Sequence, residues 1–169
     1  MPTAAAADAD AADAEPRFDD VTGEALNVAA LELQRRATQN DYVAAHAPSE
    51  DSPLRRVAAV DVAPGRHKYV LAQLAIGDEA ALVVRAYAGC AYHANNFEML
   101  TRELRALGVD ARGRVVGGGR CERDDAAKTI KVYGYSKTFG RTPGCNERAC
   151  AMIREAFTGY EATWSDDGY

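Results

Sequence analysis

The sequence predicts an α+β protein in which one mixed, mainly antiparallel β-sheet carries two packed α-helices. Three observations lead to this prediction. Strand-like segments outnumber helical ones, short turns join several of these strands, and both helical segments of the body have apolar residues at helical spacing. A helical and partly disordered N-terminal extension precedes the body. We therefore divide the chain into an acidic extension at residues 1–52 and a domain at residues 53–169.

The extension differs from the body in composition. Residues 1–20 are acidic and have almost no large apolar side chains, so they are predicted to be disordered. A helix is predicted at about residues 22–46, where Ala, Leu, Glu, Gln and Arg dominate. Leu26, Ala30 and Leu33 form a modest apolar stripe on it, which could dock on the body or mediate self-association.

Five segments of the body are predicted to be strands. Alternating or continuous apolar residues mark them, and Gly77-Asp78 forms a turn between the first two. The third is a short buried strand that breaks into a glycine-rich loop. The predicted strands span residues 68–76, 82–87, 115–116, 129–135 and 160–164.

Two helices complete the predicted body. In the first, at residues 94–107, Phe97 and Leu100 begin an apolar series at helical spacing, and Gly108 stands where a C-terminal glycine cap belongs. The second is predicted at about residues 149–157 from the same kind of spacing.

The charge is distributed unevenly along the chain. The net charge is −5, but residues 1–50 contain ten acidic and three basic side chains, whereas residues 51–169 contain fifteen acidic and seventeen basic ones. The body is therefore mildly cationic. This balance favours a small anionic ligand over nucleic acid, which would need a larger basic face.

Targeting and metal-binding signals are absent from the sequence. No apolar run approaches the length of a membrane span, and the N-terminus lacks the basic region of a secretory signal. We therefore expect a cytoplasmic protein that does not bind a membrane. The cysteines show neither a CxxC pair nor zinc-finger spacing, so we expect reduced thiols and no metal site. They are Cys90, Cys121, Cys145 and Cys150.

His93 is the first candidate for a functional residue. It lies between a predicted strand and a predicted helix, where free backbone N–H groups attract anions and disfavour a protonated imidazole. A neutral imidazole in such a place can act as a base or a nucleophile. The alternative is a surface histidine that caps its helix.

Other segments could bind an anion beside this histidine. The glycines at 117–119 allow close approach of the backbone, and Arg120 could clamp phosphate or carboxylate oxygens. Residues 133–140 could turn their N–H groups into an anion-binding concavity. Lys68 and Arg85, each at one end of an apolar strand, could extend into the same cleft. The alternatives are a flexible hairpin loop, a bulged strand end and solvated charges.

Together these segments resemble a specific family. Residues 92–94 (Tyr-His-Ala), 117–120 (Gly-Gly-Gly-Arg), 132–136 (Val-Tyr-Gly-Tyr-Ser) and 163–169 are similar, in order and spacing, to the small phosphohistidine phosphatases of the Janus family. The resemblance covers about residues 66–169. It implies a metal-independent phosphatase without cofactors that hydrolyses the P–N bond of phosphohistidine in proteins or peptides.

The resemblance also implies roles for individual residues. It makes His93 the catalytic residue, either as the nucleophile or as the general base, and the sequence leaves both roles open. The residues it assigns to substrate and phosphate binding are Lys68, Arg85, Arg120, Ser136, Lys137 and Thr138. The expected partners are phosphohistidine-containing proteins, and the expected state is a monomer. The alternative function is a phosphoprotein-binding or developmental regulatory protein of the same fold, without turnover.

Overall fold

The computed structural model describes residues 16–19, 23–38, 47–137, 139 and 142–167. Most of the N-terminal stretch predicted to be disordered, and the end of the predicted N-terminal helix at residues 39–46, lie outside these residues. Among the described residues, no helix combines the length and the apolar character that crossing a bilayer requires.

Three helices and six strands form the fold of the residues that the structure describes. The helices are α1 (Val28–Thr38), α2 (His93–Leu107) and α3 (Cys145–Ala156), and a short 3₁₀ helix spans Pro53–Arg56. The strands are β1 (Val60–Val62), β2 (Gly65–Ile76), β3 (Glu79–Ala86), β4 (Arg112–Asp124), β5 (Thr129–Tyr133) and β6 (Glu161–Trp164).

All six strands belong to one mixed sheet with the order β1-β3-β2-β4-β5-β6. The central strands β3, β2, β4 and β5 pair antiparallel, whereas β1 and β6 are added in parallel at the two edges. The predicted α+β class with a mixed, mainly antiparallel sheet is thereby confirmed.

The sheet separates two apolar layers. On one face α2 packs through Phe97 and Leu100 against a cluster that includes Leu74. On the other face α3 packs through Ala149 and Ile153 against residues of the central strands. Because the antiparallel pairs alternate their side chains between the faces, each central strand contributes to both layers. Helix α2 ends at Gly108, whose φ of 67° is the left-handed conformation predicted for this cap.

Strand β4 differs from its prediction. The expected short strand that breaks into a glycine loop is instead one continuous strand of 13 residues, Arg112–Asp124, with the glycines in its interior. Pairing with β2 on one side and β5 on the other holds it extended. Glycine weakens an isolated strand, so local propensity indicates a break. At residues 117–119 the pairing with β2 supplies the hydrogen bonds that overcome this tendency, while β5 pairs with β4 only from Arg120 onward.

The N-terminal helix is shorter than predicted within the described residues. It spans Val28–Thr38, and it packs against the body through Ala30 and Leu33, which are buried with Phe18 and Ala94 in a third apolar cluster. Of the two roles considered for this helix, the structure shows docking on the body.

The glycine run has a steric role that can be tested by adding a methyl group. A Cβ at Gly119 would lie 2.4 Å from the carbonyl oxygen of Tyr133, a backbone atom that cannot move aside alone. We expect Gly119→Ala to lower the free energy of unfolding by about 1–3 kcal/mol, as overpacking usually does. Gly159→Ala is the matched control, because a Cβ there meets nothing within 4 Å. Denaturant unfolding of both variants gives the comparison, and equal stabilities would contradict it.

Candidate functional site

His93 is the first residue of α2, at the junction predicted from the sequence. Tyr92 before it has extended backbone (φ −131°, ψ 154°), and its N–H donates to Oδ1 of Asn95 at 3.1 Å. The side chain of His93 is only 5% exposed. Burial excludes a surface histidine that merely caps its helix.

The hydrogen bond of His93 determines its tautomer. Its Nε2 lies 2.7 Å from the carbonyl oxygen of Gly119, in the interior of β4. A carbonyl oxygen can only accept, so Nε2 carries the proton in the neutral ring and Nδ1 carries the lone pair. Among the described residues, Nδ1 has no hydrogen-bond partner. This arrangement leaves Nδ1 as the nitrogen that can accept a proton or attack an electrophile.

The glycines of β4 make room for this contact. A Cβ at Gly118 would lie 3.0 Å from Cδ2 of His93 and 2.5 Å from the carbonyl oxygen of Tyr69. A Cβ at Gly119 would also press on the ring of Tyr69, at 3.1 Å. From the sequence these glycines were expected to allow approach to an anion. In the structure the imidazole and the neighbouring strands approach them.

Lys68 and Arg120 flank the histidine on the same face of the sheet. They are directly opposite each other in the antiparallel pairing of β2 and β4. Arg120 is two residues from Gly118, and that spacing returns a strand to the same face, the one against which His93 lies. Among the described residues, Lys68 and Arg120 are also the two cations whose charges act on the imidazole.

The surroundings of His93 favour its neutral form. Burial is the largest cause, and the charges of Lys68 and Arg120 act in the same direction, while the hydrogen bond to Gly119 opposes them. The result is a pKa lowered from 6.5 to about 4. The ring is therefore uncharged at neutral pH, with its lone pair available.

Asn96 is a supporting residue that the sequence analysis missed. It is fully buried, its Oδ1 accepts from the N–H of Tyr87 at 2.9 Å, and its Nδ2 donates to the carbonyl oxygen of Lys68 at 2.8 Å. It thus ties the first turn of α2 to strand β2 and to the end of β3. The sequence did contain a signal for Asn96, because this polar residue falls on the apolar face of α2, three residues after His93.

The loop after β5 begins beside the cations and packs near the start of α2 through Phe139. Tyr133, the last residue of β5, is opposite Arg120, and Phe139 packs against the cluster that contains Ala94. Within the loop the buried Ser136 accepts a hydrogen bond through Oγ from the N–H of Phe139 at 3.2 Å. Lys137 is half-buried. Thr138, which the family resemblance assigns to phosphate binding, lies outside the described residues.

Asn146 on α3 holds the start of this loop. Its Nδ2 donates to the carbonyl oxygen of Gly134 at 2.8 Å, and its Oδ1 accepts from the hydroxyl of Tyr69. Gly134 has a positive φ of 72°, which a residue with a side chain rarely adopts. The turn out of β5 is therefore fixed by a buried side chain from the opposite layer.

Arg85 has a different environment from the other predicted anion ligands. Its side chain is fully buried and forms an ion pair with Glu103 at 2.9 Å. Its other N–H groups donate to the carbonyl oxygens of Val84 and Ala58. Glu103 lies ten residues beyond His93 on α2, about 15 Å along the helix axis. Lys68 and Arg120 therefore lie near His93, whereas the guanidinium of Arg85 is bonded to Glu103 and to backbone carbonyl oxygens.

The cysteines offer no competing nucleophile. All four are free thiols, and three of them are buried. Burial raises the pKa of Cys90 to about 11 and that of Cys121 to about 12, and it also raises those of Cys145 and Cys150. A reactive cysteine needs a lowered pKa instead. Within the described ranges, no three His, Cys, Asp or Glu side chains come together as a metal site.

Comparisons with known proteins found one matching family model and several similar proteins. The sequence model of the Janus/Ocnus family matches residues 54–161. The chain is 34% identical over 126 residues to the sex-regulated protein janus-A of Drosophila melanogaster. This alignment covers 73% of this chain and 90% of that protein. It is 32% identical over 124 residues to the 14 kDa phosphohistidine phosphatase of Sus scrofa. This alignment covers 69% of this chain and 95% of that protein.

The charge of Lys68 can be removed to test the electrostatics of His93. We expect Lys68→Met to raise the pKa of His93 above its value of about 4, because a nearby cation that disfavours the imidazolium is lost. Lys131→Met, at an exposed position of β5, is the matched control. Titration of the His93 ring protons by NMR measures the pKa. An unchanged or lower value in Lys68→Met would contradict the arrangement of charges described above.

Proposed function

The chain belongs to the Janus/Ocnus family, and from that premise we propose that it is a protein phosphatase that hydrolyses the P–N bond of phosphohistidine. One observation carries the proposal. A buried, neutral imidazole has its Nε2 proton held by Gly119, and the charges of two cationic strand residues act on it. A relative named as a phosphohistidine phosphatase supports it.

The charges around His93 suit a phosphoryl group. In the free protein, burial and two cations keep the imidazole neutral. A bound phosphoryl group brings negative charge next to those cations, and a nearby anion raises the pKa of an imidazole. His93 would therefore gain affinity for a proton, or for phosphorus, only when the substrate is present. Such an arrangement stabilises charge that develops during the reaction.

Two reaction routes use the same nitrogen. In the first, Nδ1 of His93 attacks phosphorus, the P–N bond of the substrate breaks, and water then releases phosphate from His93. In the second, Nδ1 takes a proton from a water molecule that attacks phosphorus directly. In both routes the leaving histidine nitrogen takes up a proton, and the products are phosphate and the unmodified histidine.

The proposed phosphate cradle combines side chains and backbone. Lys68 and Arg120 would supply positive charge, and the N–H groups of Ser136, Lys137 and Thr138 would contact the equatorial oxygens. For Arg85 we propose a positioning role, because its donors are taken by Glu103 and by carbonyl oxygens. We further propose that the protein acts as a cytoplasmic monomer, without a metal, on phosphohistidine-containing proteins or peptides.

The central test replaces His93. We expect His93→Asn to reduce hydrolysis of a phosphohistidine peptide by at least about a hundredfold, because loss of general acid–base catalysis alone costs about 10²–10⁴-fold. His67→Asn is the matched control, a histidine on β2 whose Nε2 contacts the carbonyl oxygen of Pro64. Release of phosphate measures the rate, and circular dichroism shows whether each variant is folded.

The same experiment separates the enzyme from a binding protein. A protein that only recognises phosphorylated partners would not hydrolyse the peptide and would keep its affinity without the Nδ1 lone pair. Full activity in folded His93→Asn, or no turnover by the wild type, would overturn the proposed function.

Metal independence is a separate expectation. Because the proposed chemistry uses an imidazole and fixed cations, we expect the rate to persist in excess chelator. Phosphate release with and without chelator, after prior dialysis, gives the measurement. A loss of activity that a divalent cation restores would show that the site has been assigned the wrong chemistry.

A further inference from the structure

The N-terminal segment, defined here as residues 16–19 and 23–38, lies outside the part of the chain that the family model matches. It nevertheless packs on the elements that carry the candidate site. Its buried side chains share one apolar cluster with Tyr92, Ala94 and Phe139. Those three residues come from the two elements on either side of the proposed phosphate cradle, the start of α2 and the loop after β5.

The most direct contact joins Phe18 to Tyr92. Phe18 is 1% exposed, and its ring centroid lies 5.0 Å from that of Tyr92 at an interplanar angle of 50°. Tilted aromatic pairs at this separation are favourable beyond the area that they bury. Tyr92 immediately precedes His93, so the N-terminal segment holds the residue from which α2 begins.

Tyr92 in turn contacts a proposed phosphate ligand. The Nζ of Lys68 lies 5.2 Å from the centroid of the Tyr92 ring, within the range of a cation–π interaction. The contacts therefore run from Phe18 to Tyr92 and from Tyr92 to Lys68. A change in the ring position of Tyr92 would alter the place at which the ammonium group is held.

A second contact supports the other side of the cradle. Ala30 and Leu33 of α1 are buried in the same cluster as Ala94, with Phe139 packed against it. Phe139 lies in the loop that contains Ser136 and donates its N–H to Ser136 Oγ. The segment thus touches both elements that the proposed cradle requires.

Local hydrogen bonds give the N-terminal segment a defined shape. Phe18 and Ala25 form an antiparallel bridge, and the N–H of Leu26 donates to the carbonyl oxygen of Arg17 at 2.8 Å. Oδ1 of Asn27 accepts from the N–H of Ala30 at 2.8 Å at the start of α1. The bridge and the helix start therefore present Phe18 and Ala30 in fixed positions.

We propose that the N-terminal segment is a positioning element of the phosphate site, which holds Tyr92 and through it Lys68 for binding of the phosphoryl group. This inference rests on the proposed function. The imidazole of His93 itself is held by its hydrogen bond to Gly119 on β4. Disturbing the segment should therefore weaken substrate binding more than it slows the chemical step.

The test uses two substitutions of different severity in the full chain. Phe18→Leu keeps an apolar side chain but removes the ring contact, and Phe18→Ala removes most of the packing. Leu31→Ala, at a 60% exposed position of α1, is the matched control. We expect KM for a phosphohistidine peptide to rise about two- to fivefold in Phe18→Leu, the range that corresponds to one exposed cation–π contact. A larger rise is expected in Phe18→Ala, with kcat changed less than KM in both.

An NMR measurement tests the inference without activity. The side-chain protons of Lys68 should show a ring-current shift from Tyr92 that diminishes in Phe18→Leu and persists in Leu31→Ala. If the wild type has no phosphatase activity, the proposed function fails, and the Lys68 shifts still decide whether the segment positions this side chain. If folded Phe18→Leu keeps both the Lys68 shift and KM of the wild type, the inference is overturned. A fall in kcat at constant KM would overturn it as well.

Discussion

The candidate site depends on one buried hydrogen bond, from Nε2 of His93 to the carbonyl oxygen of Gly119. It fixes the tautomer, joins the start of α2 to the middle of β4 and assigns the lone pair to Nδ1. Gly118 permits the contact, because a Cβ there would lie 3.0 Å from Cδ2 of His93 and 2.5 Å from the carbonyl oxygen of Tyr69. A Cβ at Gly119 would instead strike the carbonyl oxygen of Tyr133, so that glycine makes room for the chain at the end of β5.

Around this bond, opposing electrostatic effects define what the site can do. Desolvation and two cations suppress protonation of His93. The hydrogen bond to the carbonyl of Gly119 favours protonation but offsets these effects only in part. An anion that binds beside Lys68 and Arg120 would oppose both cations at once. The protonation of His93 thus depends on whether an anion is bound. The cysteines differ, because their raised pKa values keep them protonated and unreactive.

The sequence predicted the fold class and the position of His93 because both depend on local patterns: alternation in the strands, spacing in α2, and the cap at Gly108. It did not predict the unbroken β4, because glycine propensity is local whereas the pairing of the glycines with β2 is not. Nor did it indicate that Glu103 forms an ion pair with Arg85, since that ion pair joins a strand to a distant helix turn. The contacts of Phe18 were missed for the same reason, because no local pattern records which face of the body a segment meets.

The tautomer of His93 is the central claim, and it can be observed directly. Nitrogen-15 NMR of the imidazole at neutral pH distinguishes a ring protonated at Nε2 from one protonated at Nδ1 or at both nitrogens. We expect a neutral ring with its proton on Nε2, and with Nδ1 showing the shift of an unprotonated nitrogen. A proton on Nδ1, or an imidazolium at neutral pH, would contradict the account.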